Sequence, residues 1–137
     1  MTQTRIYVPL NPEGVRRLAA ERTVGEPGMA VFAVTERVER AEPTGDEEDW
    51  EYAALSEAVE AAGELRREVG KRVVVAADVD PSWVSDSGST LASVRLSSPV
   101  PLSLVVAFHV DESAQDEGME DLLWYDATEL DEVLRLL

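Results

Sequence analysis

The amino-acid sequence predicts an α+β fold: a two-layer sandwich in which a mixed or antiparallel sheet of about five to six strands carries helices on one face. Three observations predict it. Short apolar runs of strand length alternate with helical patterns, the order reads β-α-β-α-α-β-β-β-β-α, and strands and helices intermix in one layer pair. A chain of 137 residues with 45% hydrophobic and 29% charged residues has ordinary globular usage, so residues 1–137 read as one domain.

The elements follow in order. Residues 5–10 form a first strand with Ile6, Val8 and Leu10 on one side, and Pro9 marks an edge or a strand end. Asn11 as N-cap, Pro12 at the first helical position and Glu13 in the first turn start a helix that places Val15, Leu18 and Ala19 along one side; residues 25–28 (GEPG) end it. Residues 29–34 are a continuous apolar run, expected to be buried on both faces. Thr35 caps a short helix over 35–42. The longest helix spans about 46–69, with Tyr52, Leu55, Ala58, Val59, Ala62, Leu65 and Val69 along its apolar line and Gly70 as C-cap.

Residues 72–79 form a central strand. Residues 80–83 and 85–90 are the most loop-like stretch and the segment expected to move most. Strands follow at 92–96 and 102–110, then an acidic loop or short helix over 111–121 and a last strand over 122–125. Thr128, with Asp131 three positions on, caps a C-terminal helix bearing Leu130, Val133, Leu134 and Leu137.

Composition excludes several functions. There is no cysteine, hence no disulfide, thiolate metal site or cysteine nucleophile. The 28 acidic against 12 basic residues, a formal net charge of −16, disfavour nucleic acid and anionic membranes, both of which select basic surfaces. The N-terminal stretch is too short in apolar residues for a signal peptide and no run reaches the about 20 residues of a membrane span, so a cytoplasmic location is expected. One lysine against eleven arginines, with one isoleucine and one asparagine, fits a GC-rich genome, and a halophile would give a similar profile.

Candidate chemistry is sparse. His109 is the sole histidine, near Asp111 and Glu112; a base or metal role competes with a hydrogen-bonded strand histidine, and no second nitrogen or sulfur donor set accompanies it. Asp46, Glu47, Glu48 and Asp49, beside Trp50, form the densest acid cluster. Their spacing is not that of a calcium loop, and acids at a helix N-terminus complement its dipole. No nucleophile elbow, phosphate loop or dinucleotide fingerprint occurs. The basic groupings, Arg16, Arg17, Arg22, Arg66, Arg67, Lys71 and Arg72, read as partners for nearby acids. Four of the eight aromatics come as two doublets, Trp50 with Tyr52 and Trp124 with Tyr125. Near-adjacent positions face differently, so each doublet can bury one ring and expose the other, and an exposed tryptophan beside acids is a protein-contact anchor.

The segments RIYVP (5–9), AVFAVT (30–35), DEEDWEYAALSEAVEAA (46–62), RVVVAADV (72–79), VRLSSPVPLSLVVAFHVDE (94–112) and LLWYDATEL (122–130) together resemble a family of small hypothetical proteins from actinobacteria, catalogued as a domain of unknown function. The resemblance spans nearly the whole chain and implies no activity, cofactor or site.

Charge asymmetry points to function. Residues 36–60 hold ten acids against two arginines, and residues 111–132 hold ten against none. The expectation is a protein-interaction or regulatory module meeting a basic partner through an acidic surface over residues 46–51 (Asp46, Glu47, Glu48, Asp49 and Glu51, with Trp50), which residues 111–121 can extend, with no cofactor and no metal. The alternative is a small-molecule-binding protein or enzyme with a site at Asp78, Asp80, Trp83 and His109. The sequence leaves open a homodimer through the sheet edge or the C-terminal helix.

Overall fold

The computed structural model describes residues 2–65, 70–114, 116, 118–119 and 122–137. Nine strands are formed among them: β1 (Thr4–Leu10), β2 (Thr23–Val24), β3 (Ala30–Ala33), β4 (Val73–Val79), β5 (Val84–Asp86), β6 (Ser93–Leu96), β7 (Val100–Pro101), β8 (Val105–Asp111) and β9 (Leu122–Asp126). Four helices accompany them: α1 (Pro12–Glu21), α2 (Glu36–Ala41), α3 (Glu47–Leu65) and α4 (Leu130–Leu136). The α+β class holds. The sheet is larger than the sequence suggests, with seven strands in the order β5-β6-β3-β1-β4-β8-β9 and a separate ribbon of β2 and β7, and the pairings are antiparallel. Two-residue strands such as β2 carry no periodicity for a sequence reading to detect.

β1 lies at the centre. Its register with β4 runs from Thr4 opposite Val79 to Leu10 opposite Val73, while its ladder with β3 pairs Ile6 with Ala33 and Tyr7 with Phe32. Pro9, which has no N–H to give, falls beyond that second ladder.

Side-chain alternation divides the core in two. Ile6, Val8, Leu10, Val31, Val73, Val75, Val79 and Phe108 face one side, where they meet Val15 and Leu18 of α1 and Leu130 and Val133 of α4. Tyr7, Phe32, Val74, Ala76 and Ala107 face the other, against Val38 of α2 and Ala54, Ala58, Val59 and Ala62 of α3. Helices therefore cover both faces, not one. The sequence reading fails here because β1, β3 and β4 are apolar at consecutive positions, which demands a cover on each side.

Local signals near the chain's own backbone hold well. The Asn11 side chain accepts from the Gly14 N–H at 2.9 Å, and Thr35 Oγ1 accepts from the Val38 N–H at 3.2 Å, each opening its helix as expected. α1 ends at Arg22, in the left-handed region at φ 64°, whose N–H bonds to the Leu18 carbonyl at 2.8 Å. The C-terminal cap is displaced: Asp126, not Thr128, accepts from the Thr128 N–H at 2.9 Å, and Glu129 reaches back to the Asp126 N–H at 3.0 Å, forming a capping box around a 3-10 turn before α4.

The buried residues of α3 are three alanines and a valine, whereas Tyr52 and Leu65 stand exposed; Val69 lies outside the described residues, as do Arg66 and Arg67 and parts of 111–121. The loop expected to move is tied down instead. Arg37 donates to the Thr90 carbonyl at 2.7 Å and pairs with Asp86, Glu57 accepts from the Thr90 hydroxyl and the Ala92 N–H, and Thr35 donates to the Leu91 carbonyl. Among the described residues, no helix is long and apolar enough to cross a membrane.

Candidate functional site

α3 starts where its acids close the helix end. The Asp49 N–H donates to Asp46 Oδ1 at 3.1 Å and the Asp46 N–H donates to Asp49 Oδ2 at 3.0 Å, a reciprocal cap built from two aspartates. Trp50 Nε1–H donates to the Glu42 carbonyl at 2.9 Å, and its half-buried ring packs on the α3-side core. Asp46, Asp49 and Trp50 of the acidic surface thus hold the α2–α3 junction. Glu47 and Glu48 remain exposed.

α3 packs on β1, β3 and β4. Its buried face is an alanine seam, and a single helix does not reach across the whole sheet, so on this face Trp124 of β9 is exposed and His109 of β8 is only half-buried. A groove of about 280 Å³ results. Arg5 and Tyr7 of β1, Ala76 of β4, and Ala107 and His109 of β8 form its floor; Glu48, Glu51, Tyr52 and Leu55 of α3 form one wall, and Trp124 of β9 the other. Register aligns these residues: Tyr7 pairs with Ala76, Ala76 with Ala107, and His109 with Trp124.

Two aromatics flank the groove in the open. Trp124 is 61% exposed and Tyr52 57% exposed, whereas their doublet partners Tyr125 and Trp50 are partly buried against the core. The doublets separate as alternation predicts. On the floor, the Tyr7 and His109 rings sit with centroids 6.5 Å apart and planes tilted by 56°. Burial, and then Arg5, lowers the His109 pKa, so the imidazole is neutral at physiological pH. Burial, reinforced by the Glu51 charge, pushes the Tyr7 phenol up to about 12, so it keeps its proton. Arg5 donates from Nε to Asp78 Oδ1 at 2.6 Å and from Nη2 to Asp78 Oδ2 at 3.1 Å, and this bidentate contact raises its pKa. With Arg5 balanced by Asp78, the charge left at the groove is that of Glu48 and Glu51, and it is negative.

Among the described residues no serine, threonine or lysine lines the groove, the Tyr7 phenol keeps its proton, and the volume lies just below the roughly 300–1,000 Å³ of small-molecule pockets. Among the described residues, no group of three or more histidine, aspartate or glutamate side chains could hold a metal ion.

The alternative set does not assemble. Asp78 and His109 share the α3-side face, but Asp80 caps the 3-10 turn Pro81–Trp83 by accepting from the Ser82 N–H at 2.9 Å, which lowers its pKa, and Trp83 packs against the opposite core. A larger depression of about 710 Å³ lies between α3 and residues 88–91, where Arg37, Glu57 and Thr90 are engaged in holding the loop. Of the basic groupings, Arg17 pairs with Glu21 at 3.0 Å, and Arg72 forms a buried ion pair with Asp111.

Sequence reasoning singled out Glu48, Glu51, His109 and Trp124 but missed Arg5 and Tyr7. The alternation of β1 offered a signal for both: Arg5 and Tyr7 fall on the side opposite Ile6 and Val8. Their convergence with α3 depends on the sheet order.

A family model described as a family of unknown function (DUF6912) matches residues 4–134. No curated protein and no solved structure matches the chain.

Proposed function

The chain belongs to this family of unknown function, and we propose that it is a protein-interaction module whose groove on the α3 side receives a cationic side chain of a basic partner. The observation that carries the reading is the exposed pair Tyr52 and Trp124 flanking a groove whose uncompensated charges are Glu48 and Glu51. Aromatic faces attract a cation within about 6 Å of the ring, and tryptophan and tyrosine are the residues most enriched at binding hot spots. The net charge of −16 would draw a basic partner toward any part of the surface, and the aromatic groove would select where it docks.

This moves the binding surface relative to the acid cluster. Glu48 and Glu51 stay in it, Asp46 and Asp49 serve the helix cap, and Tyr52 and Trp124 join. A cytoplasmic setting and a globular two-sided architecture, with one face closed and one partly open, fit this role.

Titration with decalysine, followed by tryptophan fluorescence and calorimetry, tests it. Binding should weaken steeply as salt rises past about 0.15 M, where surface charge is screened over roughly 8 Å. Trp124→Ala, and Glu48→Gln with Glu51→Gln, should each weaken it about tenfold, a loss of roughly 1.4 kcal/mol. Glu39→Gln with Glu60→Gln removes the same charge away from the groove. An equal loss in that control would reduce the effect to net charge and overturn the reading.

A further inference from the structure

The sheet ends in two edges that differ in kind. β5 is three residues long, and its last, Asp86, is held by Arg37, while the Ser87 hydroxyl turns the chain back onto Ser93 at 2.8 Å. A short edge strand that ends in charge is protected against pairing with another chain. β9 is five residues, LLWYD, with no proline or lysine and no charge before Asp126. It carries Trp124, and among the described residues no strand pairs with its outer side.

We propose that β9 is a strand-addition site: an extended, basic segment of a partner protein pairs with its free edge and sets a lysine or arginine beside Trp124. Main-chain hydrogen bonds would give affinity, and alternate side chains would give specificity. The position opposite Trp124 on an added strand continues the row Pro9, Val74, His109, Trp124 and lies about 4.8 Å beyond it. A long cationic side chain there lies along the indole with its head toward Glu48 and Glu51.

Charge selects this occupant over a second copy. Pairing β9 with β9 would bring two chains of net charge −16 together with their Glu48 and Glu51 side by side. The inference rests on the reading of the groove as a cation site and adds how the partner's backbone is held.

The test uses a blocked peptide of alternating lysine and threonine long enough to span β9, and the same peptide N-methylated at every backbone amide. The second keeps every charge and has no backbone N–H. Binding to the full chain is measured by tryptophan fluorescence, and backbone amide exchange is mapped with and without peptide. The expected result is at least about a tenfold loss of affinity on N-methylation and new protection at alternate β9 amides. Equal binding of the two peptides, still weakened by Trp124→Ala, would overturn strand addition and leave the groove reading standing. Indifference of both peptides to Trp124→Ala and to Glu48→Gln with Glu51→Gln would overturn the groove reading itself. Protection at β5 in place of β9, or a peptide-free dimer with protected β9 amides, would likewise overturn the proposal.

Discussion

On the side packed by α1 and α4, the sheet presents Ile6, Val8, Val75, Val79 and Phe108, all essentially without exposure; on the side packed by α3 it presents Tyr7, Val74, Ala76 and Ala107 to a helix buried through Ala54, Ala58 and Ala62. Large branched side chains on the first side fill the space between layers. On the second, the alanines of α3 form its buried face beside the larger Tyr7 and Phe32. The contrast teaches that cover depends on where the helices lie: α3, packed on β1, β3 and β4, leaves His109 half-buried and Trp124 exposed on the next two strands.

The α3 side repeats the contrast along its length. Arg72 and Asp111 are both buried, joined by Nη2 to Oδ1 at 2.8 Å and by the Arg72 N–H to Oδ2 at 2.6 Å, with the Arg72 stem against Gly63, where an added Cβ would come within 3.6 Å. Arg5 and Asp78 form the same bidentate chemistry, yet their side chains are 40% and 26% exposed. One pair seals the structure. The other lines a groove.

The largest expected effect would come from breaking the filled side. Phe108→Ala should cost about 3–5 kcal/mol, read as a fall in the urea midpoint, because a fully buried ring leaves a cavity. Asp111→Ala should cost a similar 3–5 kcal/mol or so by stranding the buried Arg72, whereas Asp78→Ala should cost about 0–1 kcal/mol in the same assay; equal costs would erase the distinction between the two pairs. Ala58→Leu should cost about 1–3 kcal/mol by forcing α3 off the sheet, and should weaken decalysine binding along with stability.

A subtler test uses protons. Because burial lowers the His109 pKa below its ordinary 6.5, the unfolded chain takes up the proton first as pH falls, so stability contributed by the neutral ring is present above about 6.5 and lost on passing down through the folded-state pKa. The stability difference between the native chain and His109→Gln should therefore shrink as pH drops from about 7 to 5, and a flat difference would place the imidazole in water. The smallest effect belongs to the exposed wall: Trp124→Ala should leave the unfolding free energy within about 0.5 kcal/mol while decalysine binding weakens about tenfold.

How much of this was legible depends on the range of the physics. Asn11 and Thr35 cap their helices as read, since a cap is an interaction between a side chain and an N–H three residues on. Asp126 displaced Thr128 because both lie at one helix start and can cap, and only the position of the 3-10 turn chooses between them. The exposure of Trp124 beside a partly buried Tyr125 was readable from strand alternation alone. The apolar line assigned to α3 shifted, since Tyr52 and Ala54 both fit a helical pattern and the sheet selects the face that packs most closely.

By itself the sequence determined the α+β class, most helix starts, the acidic field and the aromatic doublets, all consequences of composition or of contacts within a few residues. Tertiary structure decided the strand order, the covering of both sheet faces, and the meeting of Arg5, Tyr7, Glu51, His109 and Trp124. Those depend on which strands pair across as many as 75 residues, as in the pairing of Thr4 with Val79. Such pairings are set by the burial of the whole core, and no local pattern encodes them.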